Sequence, residues 1–125
     1  MKIYESAEDY LERILMLEKR IGTVRSIDIA NDMGYSKPSI SRAIKNLRLD
    51  GYIEVATNGS ITLTDKGLKI AEAILERHTI LKKCFIKLGV PEEIAASDAC
   101  KIEHDLSEET FTALKKHLSK LEKDC

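Results

Sequence analysis

The sequence has no long uninterrupted run of apolar residues. Its 125 residues are 43% hydrophobic, but every apolar stretch is far shorter than the roughly 18 residues that a transmembrane helix requires. The first residues lead directly into an acidic helical pattern rather than a signal peptide. We therefore expect a cytoplasmic protein without a membrane partner. The length allows one compact unit, or two small ones that share a helix, and we expect dimerisation to complete it.

Cysteine is scarce, and its spacing has no pairing pattern. Cys84, Cys100 and Cys125 form an odd set, which in a reducing compartment indicates thiols rather than a disulfide framework. The sequence also lacks a glycine-rich phosphate loop and a nucleophile placed beside a base. These absences argue against an enzyme.

The sequence also has no large excess of positive or negative charge. The net charge of −1, from 20 basic and 21 acidic residues, argues against indiscriminate nucleic-acid binding. Any DNA contact must therefore be local. Four basic residues do cluster with no acidic residue between them: Lys37, Arg42, Lys45 and Arg48. From charge alone, this cluster is consistent with either a DNA patch or a solvated helix face.

The N-terminal half shows a helix followed by a helix-turn-helix pattern. Ser6 is predicted to cap the first helix, and Asp9 and Glu12 lie beside its apolar stripe. Ser26 is predicted to cap a second, short helix that ends at Gly34. Ser36 then caps a third helix with Pro38 in its first turn, where the missing amide hydrogen does no harm. Two short helices around a tight turn are typical of a helix-turn-helix motif.

Two β-rich runs, 52–57 and 60–64, follow this motif. They are joined by Asn58-Gly59, a dipeptide that favours a two-residue hairpin turn. A helix-turn-helix followed by a hairpin predicts a winged helix, so the expected fold is mostly α with one small β-hairpin.

The third helix, from about Lys37 to Leu49, is predicted to enter the major groove of DNA. Pro38 and Ser39 can touch thymine methyls and base edges, while side chains farther along reach bases or phosphates. The wing has no Lys or Arg, so its contacts must come from polar groups such as Asn58. The predicted DNA-binding residues are Ser36, Lys37, Pro38, Ser39, Ser41, Arg42, Lys45 and Asn58.

A long helix over residues 65–88 and two shorter ones are predicted for the second half. His78 interrupts the apolar stripe of the long helix, and its position alone is compatible with either a packing residue or a ligand. Farther on, Cys100, Glu103 and His104 lie at helical offsets of three and four. At roughly 100° per residue they share a narrow strip of one helix face. A thiolate, a carboxylate and an imidazole could therefore converge on one metal ion.

Three segments together resemble the diphtheria-toxin-repressor family of metal-dependent repressors: Glu8-Asp9-Tyr10-Leu11-Glu12 before a winged helix, Arg77-His78 in the long helix, and the run from Cys100 to Ser107. The resemblance covers essentially the whole chain and is nearest in layout to the short manganese-transport-regulator branch. It implies a winged-helix DNA-binding domain over residues 1–70 and a helical metal-binding and dimerisation domain over 71–125. It also implies six metal ligands, which are Asp9, Glu12, His78, Cys100, Glu103 and His104.

The implied function is metal-dependent transcriptional repression of genes for metal uptake and homeostasis, with the metal as corepressor. A homodimer would bind a palindromic operator in double-stranded DNA. The manganese branch usually has a carboxylate where this chain has Cys100, and the iron branch a thioether where it has Asp9. Oxygen donors suit Mn²⁺, whereas thiolate and imidazole favour softer ions. We therefore expect Mn²⁺ or Fe²⁺, with Zn²⁺, Co²⁺ or Ni²⁺ able to bind in vitro.

Three other functions share some of these features. A winged-helix regulator could sense a non-metal signal, or use Cys100 as a redox switch. A mononuclear metalloenzyme could use the same ligands with an open coordination position, as catalytic zinc sites do. A winged helix that serves only as an interaction module would leave the clustered ligands without a role.

Overall fold

The computed structural model describes residues 5–123. Within this range the chain forms six helices and one two-stranded antiparallel sheet. The elements are α1 (Glu5–Ile21), α2 (Ser26–Met33), α3 (Lys37–Leu49), β1 (Ile53–Val55), β2 (Ile61–Leu63), α4 (Asp65–Lys87), α5 (Glu92–Ile102) and α6 (Glu108–Lys123). This order confirms a mostly helical winged-helix protein with one hairpin. Cys125 lies outside the described residues.

The polypeptide divides into two compact units, Met1–Glu72 and Ala73–Cys125. They are called the N-terminal and C-terminal units below, and α4 contributes to both. The boundaries predicted from the sequence, 1–70 and 71–125, remain predictions. No helix among the described residues is both long and apolar enough to cross a membrane.

The N-terminal unit is built around a core from α1, the helix-turn-helix and the hairpin. Its fully buried side chains include Leu11, Ile14, Val24, Ile29, Ile40 and Ile53. Arg13 and Arg20 of α1 both contact Asp32 of α2, at 3.3 Å and 3.4 Å. Apolar packing therefore fixes α1 against the first helix of the DNA-reading motif, and the two exposed ion pairs add little to it.

Two of the predicted helix caps differ from the structure. Ser6 already lies inside α1. Ser26 is the first residue of α2 rather than its cap, and the capping position belongs to Arg25. The backbone N–H of Arg25 donates to Asp28 Oδ2 at 2.9 Å, so an acid inside the first turn satisfies the amide group of the capping residue.

The caps of the turn and of α3 agree with the prediction. Gly34 ends α2 with φ of 72°, a conformation that costs glycine little. Ser36 caps α3 by accepting a hydrogen bond from Ser39 N–H, and Pro38 lies in the first turn. These two caps fix where the third helix begins.

The wing has a different turn from the one predicted. A two-residue turn of the favoured type needs positive φ at both Asn58 and Gly59. Gly59 has φ of 87°, whereas no described residue other than glycine has a positive φ. Gly59 N–H donates to Ala56 O, and Ala56 N–H to Ser60 O, each at 2.9 Å. The loop thus holds three residues, with glycine in the left-handed position.

The C-terminal unit packs the second half of α4 against α5 and α6. Its buried side chains include Leu81, Ala95, Ala99, Phe111 and Leu118. Gly89 and Pro91 separate α4 from α5, and Pro91 takes the capping position. Ser107 caps α6 by accepting a hydrogen bond from Thr110 N–H at 3.1 Å. The connection between α5 and α6, which carries Glu103 and His104, is therefore short and held at both ends.

Candidate functional site

The C-terminal unit contains a buried cluster of ligand-type side chains around Glu103. Glu103 caps the C-terminal end of α5, and its side chain is 0% exposed. Its Oε2 lies 3.0 Å from Nδ1 of His78 on α4. Its Oε1 lies 3.5 Å from Nε2 of His104, whose side chain is 1% exposed. One carboxylate is thus held between two imidazoles from different parts of the chain.

This cluster fits a divalent cation. A buried carboxylate has lost the water that stabilises its charge and needs a compensating partner. Oε1 of Glu103 accepts no hydrogen bond within the described part of the chain. Neutral imidazoles and carboxylates are both ligands for divalent first-row metals. His78, Glu103 and His104 are therefore chemically suited to hold such an ion together.

Cys100 adds a sulfur donor one helical turn before Glu103. Its thiol and a carboxylate oxygen of Glu103 lie within 4.8 Å of each other, so the structure brings together all four ligands predicted for this unit. Cys84 differs, because burial, with a smaller contribution from Glu122, raises the pKa of its thiol. A thiol with a raised pKa is a poor metal ligand at neutral pH.

The other two predicted ligands lie on α1 of the N-terminal unit. Asp9 and Glu12 are one helical turn apart. Glu12 is only 3% exposed, and Asp9 is partly exposed. Charged acids are rarely buried to this degree unless they are paired. Tyr10 lies between the two in sequence, and burial, followed by the nearby Tyr35 and Asp9, raises the pKa of its phenol.

The predicted DNA-binding residues of α3 fall into two groups. Lys37, Pro38, Ser41, Arg42 and Lys45 are exposed. Ser36 and Ser39 are instead joined to each other, with Ser36 Oγ donating to Ser39 Oγ at 2.9 Å. Arg42 donates to the same Ser39 oxygen at 3.4 Å. The two serines therefore shape the start of the helix, and Ser36 is exposed like the other five residues.

The tip of the wing presents an oriented amide. Oδ1 of Asn58 accepts hydrogen bonds from both the backbone N–H and the hydroxyl of Ser60, at 3.0 Å and 2.8 Å. Since both donors point at the oxygen, the identity of that atom is fixed by chemistry. The NH₂ group of Asn58 is therefore the part directed away from the loop.

Sequence reasoning did not assign a role to Tyr35 or Arg77. Tyr35 lies in the turn before α3, is 53% exposed, and meets the ring of Tyr10 edge-on at 6.3 Å. An aromatic residue in a polar turn was the available signal. Arg77 contacts residues 26 to 31 positions away, and no local pattern could have indicated these contacts.

Comparison with known proteins identifies the class of this chain. A family model described as "Iron dependent repressor, N-terminal DNA binding domain" matches residues 2–61. A second, "Iron dependent repressor, metal binding and dimerisation domain", matches residues 64–125. The transcriptional regulator MntR of Escherichia coli is 38% identical over 111 residues, which cover 89% of this chain and 72% of MntR.

The chain belongs to the iron-dependent repressor family. A helix-turn-helix transcriptional regulator of Methanocaldococcus jannaschii is 34% identical and has nearly the same extent, with 93% of this chain and 94% of that protein covered. The resemblance recognised from Asp9, Glu12 and the segment around Glu103 is therefore confirmed.

Solved structures of a manganese regulator and of a manganese-dependent repressor share the fold of this chain. The manganese regulator SloR has a TM-score of 0.80 at 26% identity over 95% of this chain. A manganese-dependent transcriptional repressor in complex with manganese has a TM-score of 0.83 at 27% identity over 90% of this chain. The chain spans about half the length of these two proteins, 55% and 52% respectively.

Family membership confirms the predicted class of protein. The chain is a metal-dependent DNA-binding regulator of the repressor type, not an enzyme. DNA and a second copy of the chain are its partners, and a divalent metal is its cofactor.

Proposed function

We propose that this protein acts in the cytoplasm and represses genes for metal uptake and homeostasis when it binds a divalent ion. The ligands are Asp9, Glu12, His78, Cys100, Glu103 and His104. The observation that supports this most strongly is the fully buried Glu103 carboxylate between His78 and His104. The metal-binding family model matches the same part of the chain.

The charges of the proposed ligands explain how metal binding would control the protein. Asp9, Glu12, Glu103 and an ionised Cys100 are four anionic groups, and without a cation their mutual repulsion and desolvation disfavour a common site. A bound divalent ion supplies positive charge that these groups lack. Asp9 and Glu12 share a unit with α3, while the other four ligands belong to the C-terminal unit. Shared ligation therefore restrains the unit that reads DNA.

In a dimer, this restraint would raise the affinity for DNA by fixing the spacing of the two α3 helices. Several large apolar side chains of the C-terminal unit are exposed and are candidates for the interface between two copies: Ile86, Leu88, Ile94, Ile102 and Leu121. In a homodimer, two α3 helices held about 34 Å apart would fit successive major grooves of a palindromic operator. By linkage, DNA must then tighten metal binding by the same factor that metal tightens DNA binding.

The proposed function is tested by DNA binding with and without metal. A duplex selected from a random pool by the Mn²⁺-loaded protein serves as the operator, and fluorescence anisotropy reports affinity under anaerobic conditions. We expect tight binding with Mn²⁺ or Fe²⁺, and loss of binding when a chelator is added. Equal affinity in chelator and in saturating metal would contradict the proposal.

The choice of ion depends on Cys100, because it is the only sulfur donor among the six ligands. Replacing it by Glu substitutes a hard oxygen donor, which favours Mn²⁺ over Fe²⁺. We expect Cys100→Glu to lower the Mn²⁺ concentration that half-saturates operator binding, relative to the Fe²⁺ concentration, by about tenfold, or about 1.4 kcal/mol. Anaerobic anisotropy titrations with each ion measure this ratio.

Cys84→Ser is the matched control for that experiment. It also replaces sulfur by oxygen in the C-terminal unit, but at a thiol whose pKa is raised by burial. The ratio for this variant should equal that of the parent. An unchanged ratio in Cys100→Glu would exclude Cys100 as the residue that sets ion preference.

Two substitutions separate the charged contacts of α3 from the uncharged contact of the wing. Lys45 is exposed on α3, and Lys45→Ala should reduce the slope of log K against log salt by about 0.9, the value for one lost phosphate contact. Asn58→Ala removes the outward NH₂ donors and should weaken binding about tenfold, with the slope unchanged, since no counterion is released there. Anisotropy titrations from low to high salt measure both.

The control for the DNA contacts is Lys69→Ala on α4, which removes one exposed charge outside the helix-turn-helix. Its slope should match that of the parent. A lower slope for Asn58→Ala, or a parental slope for Lys45→Ala, would contradict the assignment of these two residues.

A further inference from the structure

Arg77 makes an unusual set of contacts within the C-terminal unit. It precedes His78 on α4, and its side chain is only 15% exposed. Its NH1 donates to the backbone carbonyls of Glu103, at 3.1 Å, and of Leu106, at 2.6 Å. Its NH2 donates to Glu108 Oε2 at 3.1 Å, and the guanidinium lies 5.2 Å from the ring centroid of Phe111. One side chain thus joins α4 to the end of α5 and the start of α6.

One of the two carbonyl contacts lies where a helix needs a partner, because Glu103 is the C-terminal capping residue of α5, whereas Leu106 lies in the connection to α6. The last carbonyl groups of an α-helix have no acceptor role within the helix and carry partial negative charge. Arg77 places a positive charge and a planar fork of donors there. The backbone that it binds, between Glu103 and Leu106, also carries the Glu103 carboxylate and the His104 imidazole.

Glu103 is therefore held from two sides by consecutive residues of α4. His78 contacts its side chain through Nδ1 and Oε2 at 3.0 Å. Arg77 binds its backbone carbonyl. Both the position of the residue and the direction of its carboxylate are fixed by the same turn of one helix.

We propose that Arg77 is a positioning residue for the metal site. It binds the backbone of the Glu103–Leu106 connection so that the Glu103 carboxylate and the His104 imidazole are presented to the same ion. Arg77 itself contributes no ligand, because a guanidinium has no lone pair to offer and does not lose its proton in proteins. This inference rests on the proposed function, since it assigns Arg77 a role in the same metal site.

The contact with Glu108 is the least important of the set. Glu108 is 78% exposed, and exposed ion pairs contribute little because solvent screens them. Removing that carboxylate alone should therefore leave the connection in place. Glu108→Gln keeps the size of the side chain and removes only this charge, so it is the matched control.

The test compares Arg77→Ala, Arg77→Lys and Glu108→Gln with the parent. Free Mn²⁺ is measured by electron paramagnetic resonance during titration of metal-free protein. We expect Arg77→Ala to weaken Mn²⁺ binding by about 10- to 100-fold, the range found for residues that orient metal ligands. Arg77→Lys should fall between this variant and the parent, because an ammonium group cannot reproduce the planar fork. Glu108→Gln should bind as the parent does.

A second measurement separates positioning from a general loss of stability. At saturating Co²⁺, the visible absorption spectrum reports the arrangement of ligands around the ion, and we expect shifted bands in Arg77→Ala. A destabilised but correctly arranged site would give the parental spectrum once saturated, and this result would overturn the inference. So would parental Mn²⁺ affinity in Arg77→Ala or, should that variant not fold, in Arg77→Lys.

Mn²⁺ binding by the parent protein distinguishes failure of the proposed function from failure of the role of Arg77. If the parent binds no Mn²⁺, the proposed function fails, and the role of Arg77 fails with it. If the parent binds Mn²⁺ and the Arg77 variants bind it equally well, only the role of Arg77 is overturned.

Discussion

Glu103→Gln should abolish the response to metal while the metal-free protein stays folded. The substitution keeps the shape of the side chain and its hydrogen-bonding capacity toward His78. It replaces the carboxylate, which is 0% exposed, by an uncharged amide. Substitution of a residue that only orients metal ligands typically lowers metal affinity by about 10- to 100-fold. We therefore expect a loss of at least about 100-fold for a ligand. Mn²⁺ titration followed by electron paramagnetic resonance measures it.

Operator binding should change in parallel. Glu103→Gln should bind the selected duplex with the same weak affinity in Mn²⁺ and in chelator, whereas the parent responds strongly. Glu109→Gln, at an exposed position on α6, is the control and should behave as the parent does. Circular dichroism and a sedimentation experiment establish that the variant is folded and paired. Parental Mn²⁺ affinity in Glu103→Gln would remove Glu103 from the ligand set.

Gly67→Ala should strongly destabilise the N-terminal unit. Glycine inside a helix usually costs stability, and replacing it by alanine typically gains up to about 1 kcal/mol. Here, however, the added Cβ would overlap the backbone carbonyl oxygen of Tyr52. That oxygen cannot move freely, because it accepts a hydrogen bond from Thr64 N–H at 3.0 Å. Overpacking of this kind costs about 1–3 kcal/mol and at times more, so the clash outweighs the gain.

We expect Gly67→Ala to lower the free energy of unfolding by about 2–3 kcal/mol, with the urea midpoint as the measurement. Lys69 is exposed and lies two residues farther along α4. Lys69→Ala should therefore change the free energy of unfolding by no more than about 0.5 kcal/mol. The clash lies at Tyr52, directly before β1, so operator affinity should fall in the same variant. Equal or greater stability of Gly67→Ala would mean that the wing and α4 do not approach each other as described.

The sequence predicted the order of elements because local chemistry determines most of it. Gly34, Ser36 and Pro38 each have a conformational or capping preference that acts within a few residues. The turn of the wing was located but assigned the wrong type. Asn58-Gly59 suits both two-residue and three-residue loops, and the choice depends on the pairing of Ala56 with Ser60, which local preference does not determine.

The site was less predictable from local chemistry. A helical offset placed Cys100, Glu103 and His104 on one face, but their spacing says nothing about burial, and acids on helices are usually exposed. His78 was predicted to be a ligand only through the family resemblance, because its partner Glu103 is 25 positions away. The capping contacts of Arg77 likewise depend on how α4, α5 and α6 pack, which becomes visible only in three dimensions.

The packing of α1 against the helix-turn-helix determines how a displacement of α1 would reach α3. Buried apolar side chains join α1, which carries Asp9 and Glu12, to the helices of the reading motif. The exposed ion pairs of Arg13 and Arg20 with Asp32 add little to this packing. A displacement of α1 would therefore move α3 with it as a rigid body, without any rearrangement inside the N-terminal unit. Loosening this linkage would leave both ligands and DNA contacts intact and still reduce the coupling free energy between them. Mutations that silence the regulator can therefore lie far from both of its binding sites.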